Sequence, residues 1–165
     1  MEIYLILLKV LSNLIYGIFT LMISIRVFDA LTKEINEIDE IKRKNISVGI
    51  VLSGIIISMS IMISDVLKDS YIPDTIEEFI LTTLFDIFRY LFSIIVGISI
   101  IFISYNMFRI LNAKRFNTIL ELKNGNIAVA LLLTVYFIAL MLIITPALKT
   151  LFNVIISYNL KVIIP

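Results

Sequence analysis

The chain has 165 residues, 60% hydrophobic and only 16% charged, with a net charge of +1 and a mean hydropathy of +1.06. Soluble domains are nearer half apolar with about a quarter charged, so this is a membrane composition, long enough for one compact membrane domain. The near-neutral charge gives no electrostatic case for nucleic acid, and the lack of both cysteine and histidine removes thiol chemistry, thiolate metal sites and the commonest general base.

The first apolar stretch runs from Ile3 to Ile25 and contains one charge, Lys9. Met1 and Glu2 supply no basic leader, the stretch is too long for a signal-peptide core, and no small-residue cleavage site follows, so it reads as a retained anchor. Arg26 closes it. Leu31, Ile35, Ile38 and Ile41 then recur at helical spacing, with Glu34, Glu37, Asp39 and Glu40 on the other faces. That pattern predicts a short amphipathic helix at the headgroups. Asn45 follows, one residue before the second apolar run, where its side-chain oxygen suits it to cap the next helix.

The second span is predicted over 46–64 and ends in a polar cluster from Asp65 to Ser70. The loop beyond it carries Asp65, Asp69, Asp74, Glu77 and Glu78 against Lys68; it reads as a solvated loop, with a weak cation-attracting mouth as the alternative. The third span, 81–104, holds Asp86 and Arg89 and ends at Asn106 to Arg109. Phe116, Ile119, Leu120 and Leu122 then form a second, weaker amphipathic segment. Gly125 permits a tight turn where the first loop has Lys44, and Asn126 precedes a fourth span over 127–145, closed by Pro146. In the tail, 147–165, Leu148, Leu151, Phe152 and Ile155 share a face, and Lys149, Asn153, Ser157 and Lys161 are interspersed. An interfacial helix is the preferred reading over a fifth span, which would leave no turn after Pro146.

Four runs of about 20 apolar residues are four membrane-spanning helices, since continuous rather than alternating apolarity excludes a β-barrel. They form two copies of one hairpin. Residues 38–68 align without gaps on 119–149 at an offset of 81, matching Glu40 with Glu121, Lys42 with Lys123, Asn45 with Asn126 and Lys68 with Lys149. Upstream, at an offset of 80, Gly17 falls on Gly97, Ser24 on Ser104, Phe28 on Phe108 and Lys9 on Arg89. The fold class is therefore all-α integral membrane: two tandem, parallel-oriented hairpin repeats, about 1–70 and about 80–150, in one domain. The loops after spans one and three carry nine Lys and Arg residues (Arg26, Lys33, Lys42, Arg43, Lys44, Arg109, Lys114, Arg115 and Lys123) and the loop between spans two and three carries one. The positive-inside rule places loops 27–45 and 106–126 in the cytoplasm and both termini outside. Heavy use of Ile, Lys and Asn points to an AT-rich prokaryotic genome, and so to a cell inner membrane.

An amphipathic loop, then Glu121-Leu122-Lys123-Asn124-Gly125-Asn126-Ile127-Ala128-Val129-Ala130 opening an apolar helix, resembles the two-repeat prokaryotic membrane proteins known as domain of unknown function 350. Glu40-Ile41-Lys42-Arg43-Lys44-Asn45-Ile46-Ser47-Val48-Gly49 repeats the motif and departs from it at Lys44, where the family usually has Gly. The resemblance covers about residues 10–145. It implies a four-helix inner-membrane protein and assigns no activity.

Lys9 and Arg89, at equivalent points of two spans, lie about 25 Å up their helices from the basic loops at about 1.5 Å per residue. Snorkelling to the far headgroups is the expected role of both, with Asp86, one turn before Arg89, as an ion-pair partner; a proton or cation site is the sharper alternative. Ser53 and Thr134 occupy the same level of the two repeats. Together with the small pair Gly54 and Ser58 they are expected to pack helices closely, the alternative being a polar pore stripe continued by Ser60 and Ser64. Asn45 and Asn126 are expected caps, or else a symmetric contact site. No phosphate-binding loop, dinucleotide turn, metal cluster or catalytic triad occurs in the sequence, so neither enzymatic activity nor a cofactor is expected. The expected function is a non-enzymatic accessory or scaffold protein in the lipid bilayer, as a homo-oligomer or bound to another membrane-associated protein through its cytoplasmic loops. The alternative is an oligomeric ion or small-solute channel.

Overall fold

Asparagine and threonine caps followed by long apolar runs give helices along the chain. The computed structural model describes residues 3–68 and 75–163. Asp69 and Asp74 of the acidic loop lie outside the described residues, as do the side chains of Ser157 and Lys161. The elements are α1 (Ile3–Leu31), α2 (Glu37–Lys42), α3 (Ile46–Lys68), α4 (Ile76–Asn112), α5 (Thr118–Lys123) and α6 (Ile127–Ile163). The fold is all-α and integral to a membrane: α1, α3, α4 and α6 are each long and apolar enough to cross one, and in lipid a helix satisfies its backbone internally.

The bundle is built around α3, which packs against α1, α4 and α6. Val48, Val51, Ile55, Met59, Met62 and Val66 of α3 are buried, and Phe28, Phe108, Phe137 and Met141 close over them. On α1 the residues Leu7, Leu11, Leu14, Ile18 and Met22 are exposed and recur at helical spacing, an apolar stripe turned to lipid.

All four long helices overrun their predicted ends: α1 runs past Arg26 to Leu31 and α3 past Asp65 to Lys68, and α4 and α6 run furthest. The third span extends to 37 residues as α4, about 55 Å at about 1.5 Å per residue. Thr75 caps its start by accepting from the Glu78 amide at 3.2 Å. At the other end Asn106 does not stop the helix, because its side-chain amide bonds the Phe102 carbonyl at 2.9 Å.

The tail corrects its sequence reading more deeply. It is neither a separate interfacial helix nor a fifth span, because α6 continues through Pro146 to Ile163. Pro146 is on the exposed side, and the buried stripe Leu133, Phe137, Met141, Thr145, Leu148 and Phe152 passes it in unbroken register. Phe152 packs edge-on against Phe88 and Phe92 of α4, with ring centroids 6.3 and 5.6 Å away, and Lys149 lies 3.9 Å from Asp65 of α3.

Candidate functional site

A buried charged cluster sits between α1 and α4. Lys9 of α1 and Asp86 of α4 form an ion pair and hydrogen bond, and Arg89, one turn along α4, lies 3.9 Å from the second oxygen of the same carboxylate. The three residues are 8%, 3% and 5% exposed. Lys9 and Arg89 therefore do not snorkel: both turn inward, because α1 and α4 lie side by side and bring one carboxylate to both cations. Desolvating a charge is costly unless it is paired and hydrogen-bonded, and Asp86 supplies that pairing.

The seam continues toward α2 and α5. Tyr16 and Tyr90 stack with ring centroids 4.8 Å apart. Thr20 donates to the Tyr16 carbonyl at 2.7 Å, and its hydroxyl lies 3.4 Å from that of Tyr90. Beyond Tyr90, Ser93 is buried with no hydrogen-bond partner for its hydroxyl among the described residues. The tyrosines, Thr20 and Ser93 went unnoticed in the sequence, although the signal was present: Lys9, Tyr16 and Thr20 share one helical face, as do Asp86, Tyr90 and Ser93.

At the opposite end of the bundle, α2 and α5 are held by one device used twice. Asn36 and Asn117 cap their N-termini. Each short helix ends with a residue in the left-handed region, Lys44 at φ 63° and Gly125 at φ 79°. The next amide then reaches back five residues, from Asn45 to the Glu40 carbonyl at 2.9 Å and from Asn126 to the Glu121 carbonyl at 3.0 Å. This is the Schellman arrangement, for which glycine is the unstrained choice. The same asparagines open the next helices: Asn45 accepts from the Ser47 amide at 3.1 Å and Asn126 from the Val129 amide at 3.3 Å. Their side-chain amides donate to the carboxylates of Glu40 at 2.8 Å and Glu121 at 2.7 Å.

Asn45 also does what Asn126 does not. Its amide reaches the carbonyls of Leu122 and Lys123, at 3.0 and 3.2 Å, tying the first loop to the second. Lys123 and Glu34 add an ion pair at 4.0 Å. The joined face leaves Ile38, Ile41 and Leu120 exposed among the exposed bases Lys42, Arg43 and Lys114.

Ser53 and Thr134 share a shallow groove of about 550 Å³ between α3 and α6. Ser53 is exposed there. Thr134 is engaged by α3: its hydroxyl donates to the Ile50 carbonyl at 3.2 Å, and a β-carbon added at Gly54 would lie 2.6 Å from its methyl group. No group of three or more acidic side chains is placed to hold a metal ion among the described residues.

The family model described as Domain of Unknown Function (DUF350) matches residues 3–148. No curated protein and no solved structure matches the chain.

Proposed function

This chain belongs to the DUF350 family, and on that premise we propose that it is a non-enzymatic accessory or scaffold protein of a prokaryotic inner membrane, which holds another membrane-associated protein against the face formed by α2 and α5. In this reading the two hairpins are a duplicated unit, α2 and α5 lie in the cytoplasm, and both termini lie outside. The nine-to-one distribution of Lys and Arg between the basic loops and the acidic one supports that orientation.

The observation that carries the proposal is the bridge from Asn45 to the Leu122 and Lys123 carbonyls. It makes one preorganised face out of two short loops, and preorganisation lowers the entropy lost on binding. Exposed apolar side chains ringed by bases, on Ile38, Leu120, Lys42 and Lys114, suit a partner with acidic and apolar residues.

The competing channel reading rests on Ser53, exposed in its groove. Thr134 weighs against it, because its hydroxyl is spent on the Ile50 carbonyl. Photo-crosslinkers at positions 38 and 120, in native membranes, are expected to trap one discrete protein adduct, which Lys42→Glu with Lys114→Glu abolishes. Lipid adducts alone, together with ion flux through liposomes holding the pure protein, would overturn the scaffold reading in favour of the channel.

A further inference from the structure

A cavity of about 610 Å³ opens between α1 and α3, at the end of the bundle away from α2 and α5. Its volume falls within the usual range of small-molecule sites. Lys9, Asn13 and Thr20 line it from one face of α1, and Ser60, Ser64 and Lys68 line it from successive turns of α3. Among the described residues the lining thus presents two cations, four neutral polar groups and no carboxylate.

Lys9 is fixed in the wall by Asp86 behind it. Lys68, the last residue of α3, stands exposed at the outer end. Val10 lines the same cavity and is 60% exposed on α1, so the opening faces the surrounding lipid. A ligand entering from there carries an apolar tail, and the exposed Lys68 ammonium selects an anionic head.

We propose that this cavity binds the phosphate headgroup of an anionic phospholipid from the leaflet remote from α2 and α5. Lys68 acts as the counter-ion, and Lys9, whose charge is shared with Asp86, lines the wall with Asn13, Ser60 and Ser64, which supply neutral hydrogen bonds. A lysine ammonium is a compact point charge suited to phosphate. The phosphodiester oxygens would sit near Lys68, at headgroup depth, and the acyl chains would run down the exposed side of α1 past Val10.

The test is native mass spectrometry of the whole protein, titrated in detergent with phosphatidylglycerol or with phosphatidylcholine. One phosphatidylglycerol is expected to stay bound under conditions that strip phosphatidylcholine. Lys68→Gln is expected to weaken its retention about tenfold, the scale of one lost charge-assisted bond, and Arg26→Gln, at the other end of α1, to leave it unchanged. Lys9→Gln removes a buried partner of Asp86 and so threatens folding. Ser64→Leu, at an exposed position, fills the cavity instead and is expected to evict the lipid. Equal retention of the two lipids would overturn the proposal, and so would an unaffected Lys68→Gln. Displacement by millimolar inorganic phosphate would also overturn it, because the occupant would then be a free anion.

Discussion

The Lys9 ammonium and the Asp86 carboxylate, 77 positions apart, are paired inside the bundle, with the Arg89 guanidinium 3.9 Å from the same carboxylate. One acid on α4 therefore serves cations from two helices. Removing the acid and removing one cation have unequal consequences. Asp86→Asn leaves Lys9 and Arg89 facing each other where water is scarce, an expected loss of about 3 kcal/mol. Lys9→Met leaves a one-to-one pair of Asp86 with Arg89 and puts an apolar group of similar length in the space, so its expected loss is less than half as large. Thermal unfolding in detergent ranks the two variants, and equal losses would rule out the shared-carboxylate account.

The two capping asparagines are expected to separate in energy. Asn126→Ala removes a cap and one bond to Glu121, about 1 kcal/mol. Asn45→Ala removes the same contacts and, in addition, the bridge to Leu122 and Lys123, so it should cost about 1 kcal/mol more. Asn45→Asp keeps the cap acceptor but sets a second carboxylate against Glu40, and it should be worse than the alanine variant at neutral pH. Lys44→Gly should move the other way, gaining about 1 kcal/mol by relieving a left-handed backbone in a residue with a β-carbon. Equal melting temperatures for the two alanine variants would show that the bridge contributes nothing.

Gly54 and Thr134 define how closely α3 approaches α6. Gly54→Ala places a methyl group 2.6 Å from the Thr134 methyl, an overlap expected to cost about 1–3 kcal/mol. Thr134→Ala in the same chain should recover most of that loss, though alone it forfeits the bond to Ile50. Ser53→Leu, pointing out of the bundle, should be nearly silent for stability. Thr134→Leu should destabilise strongly. A double-mutant cycle at 54 and 134 without coupling would mean that the two helices do not meet there in the membrane.

The spans, the existence of the short loop helices and the caps Asn45 and Asn126 were legible because each has a local signal: a long apolar run, a period of about 3.6, or an asparagine before a long apolar run. The caps Asn36 and Asn117 were not read, and Leu31, read as part of the first loop helix, belongs to α1. The cap positions at 45 and 126 stand 81 apart, as the aligned sequence requires. What was not legible depends on which helices are neighbours. Lys9 read as a snorkelling lysine because its own span contains no acid; only the placement of α1 beside α4 brings Asp86 to it. The bridge from Asn45 to the second loop was invisible for the same reason. The tail misled differently, since Pro146 is a local stop signal, whereas the stripe from Met141 through Thr145 and Leu148 to Phe152 shows that packing carries the helix across it.

That continuity of α6 makes the tail testable. Phe152→Ala removes a buried ring lying against Phe88 and Phe92, an expected loss of about 3 kcal/mol. Pro146→Ala restores an amide at an exposed position within a helix and should stabilise by about 1 kcal/mol or more. A tail lying independently in the headgroups would leave stability unchanged in both variants, so unaltered melting of Phe152→Ala would refute the packed arrangement.

Orientation is open to a direct measurement, because the chain contains no cysteine of its own. Single substitutions Lys42→Cys and Lys123→Cys, both at exposed positions, probe the two loops, and Glu77→Cys, exposed at the start of α4, probes the opposite end. The positive charges of nine Lys and Arg residues resist translocation, whereas the acidic loop carries one such charge. Positions 42 and 123 are therefore expected to react with a membrane-impermeant maleimide only after the cytoplasmic side is opened, and position 77 in intact cells. The ion pair of Lys123 with Glu34 and the reach of Asn45 to Lys123 require both loops on one side. Labelling of 42 and 123 from different sides would refute the joined face formed by α2 and α5, whereas joint labelling from outside would invert the orientation and leave that face intact.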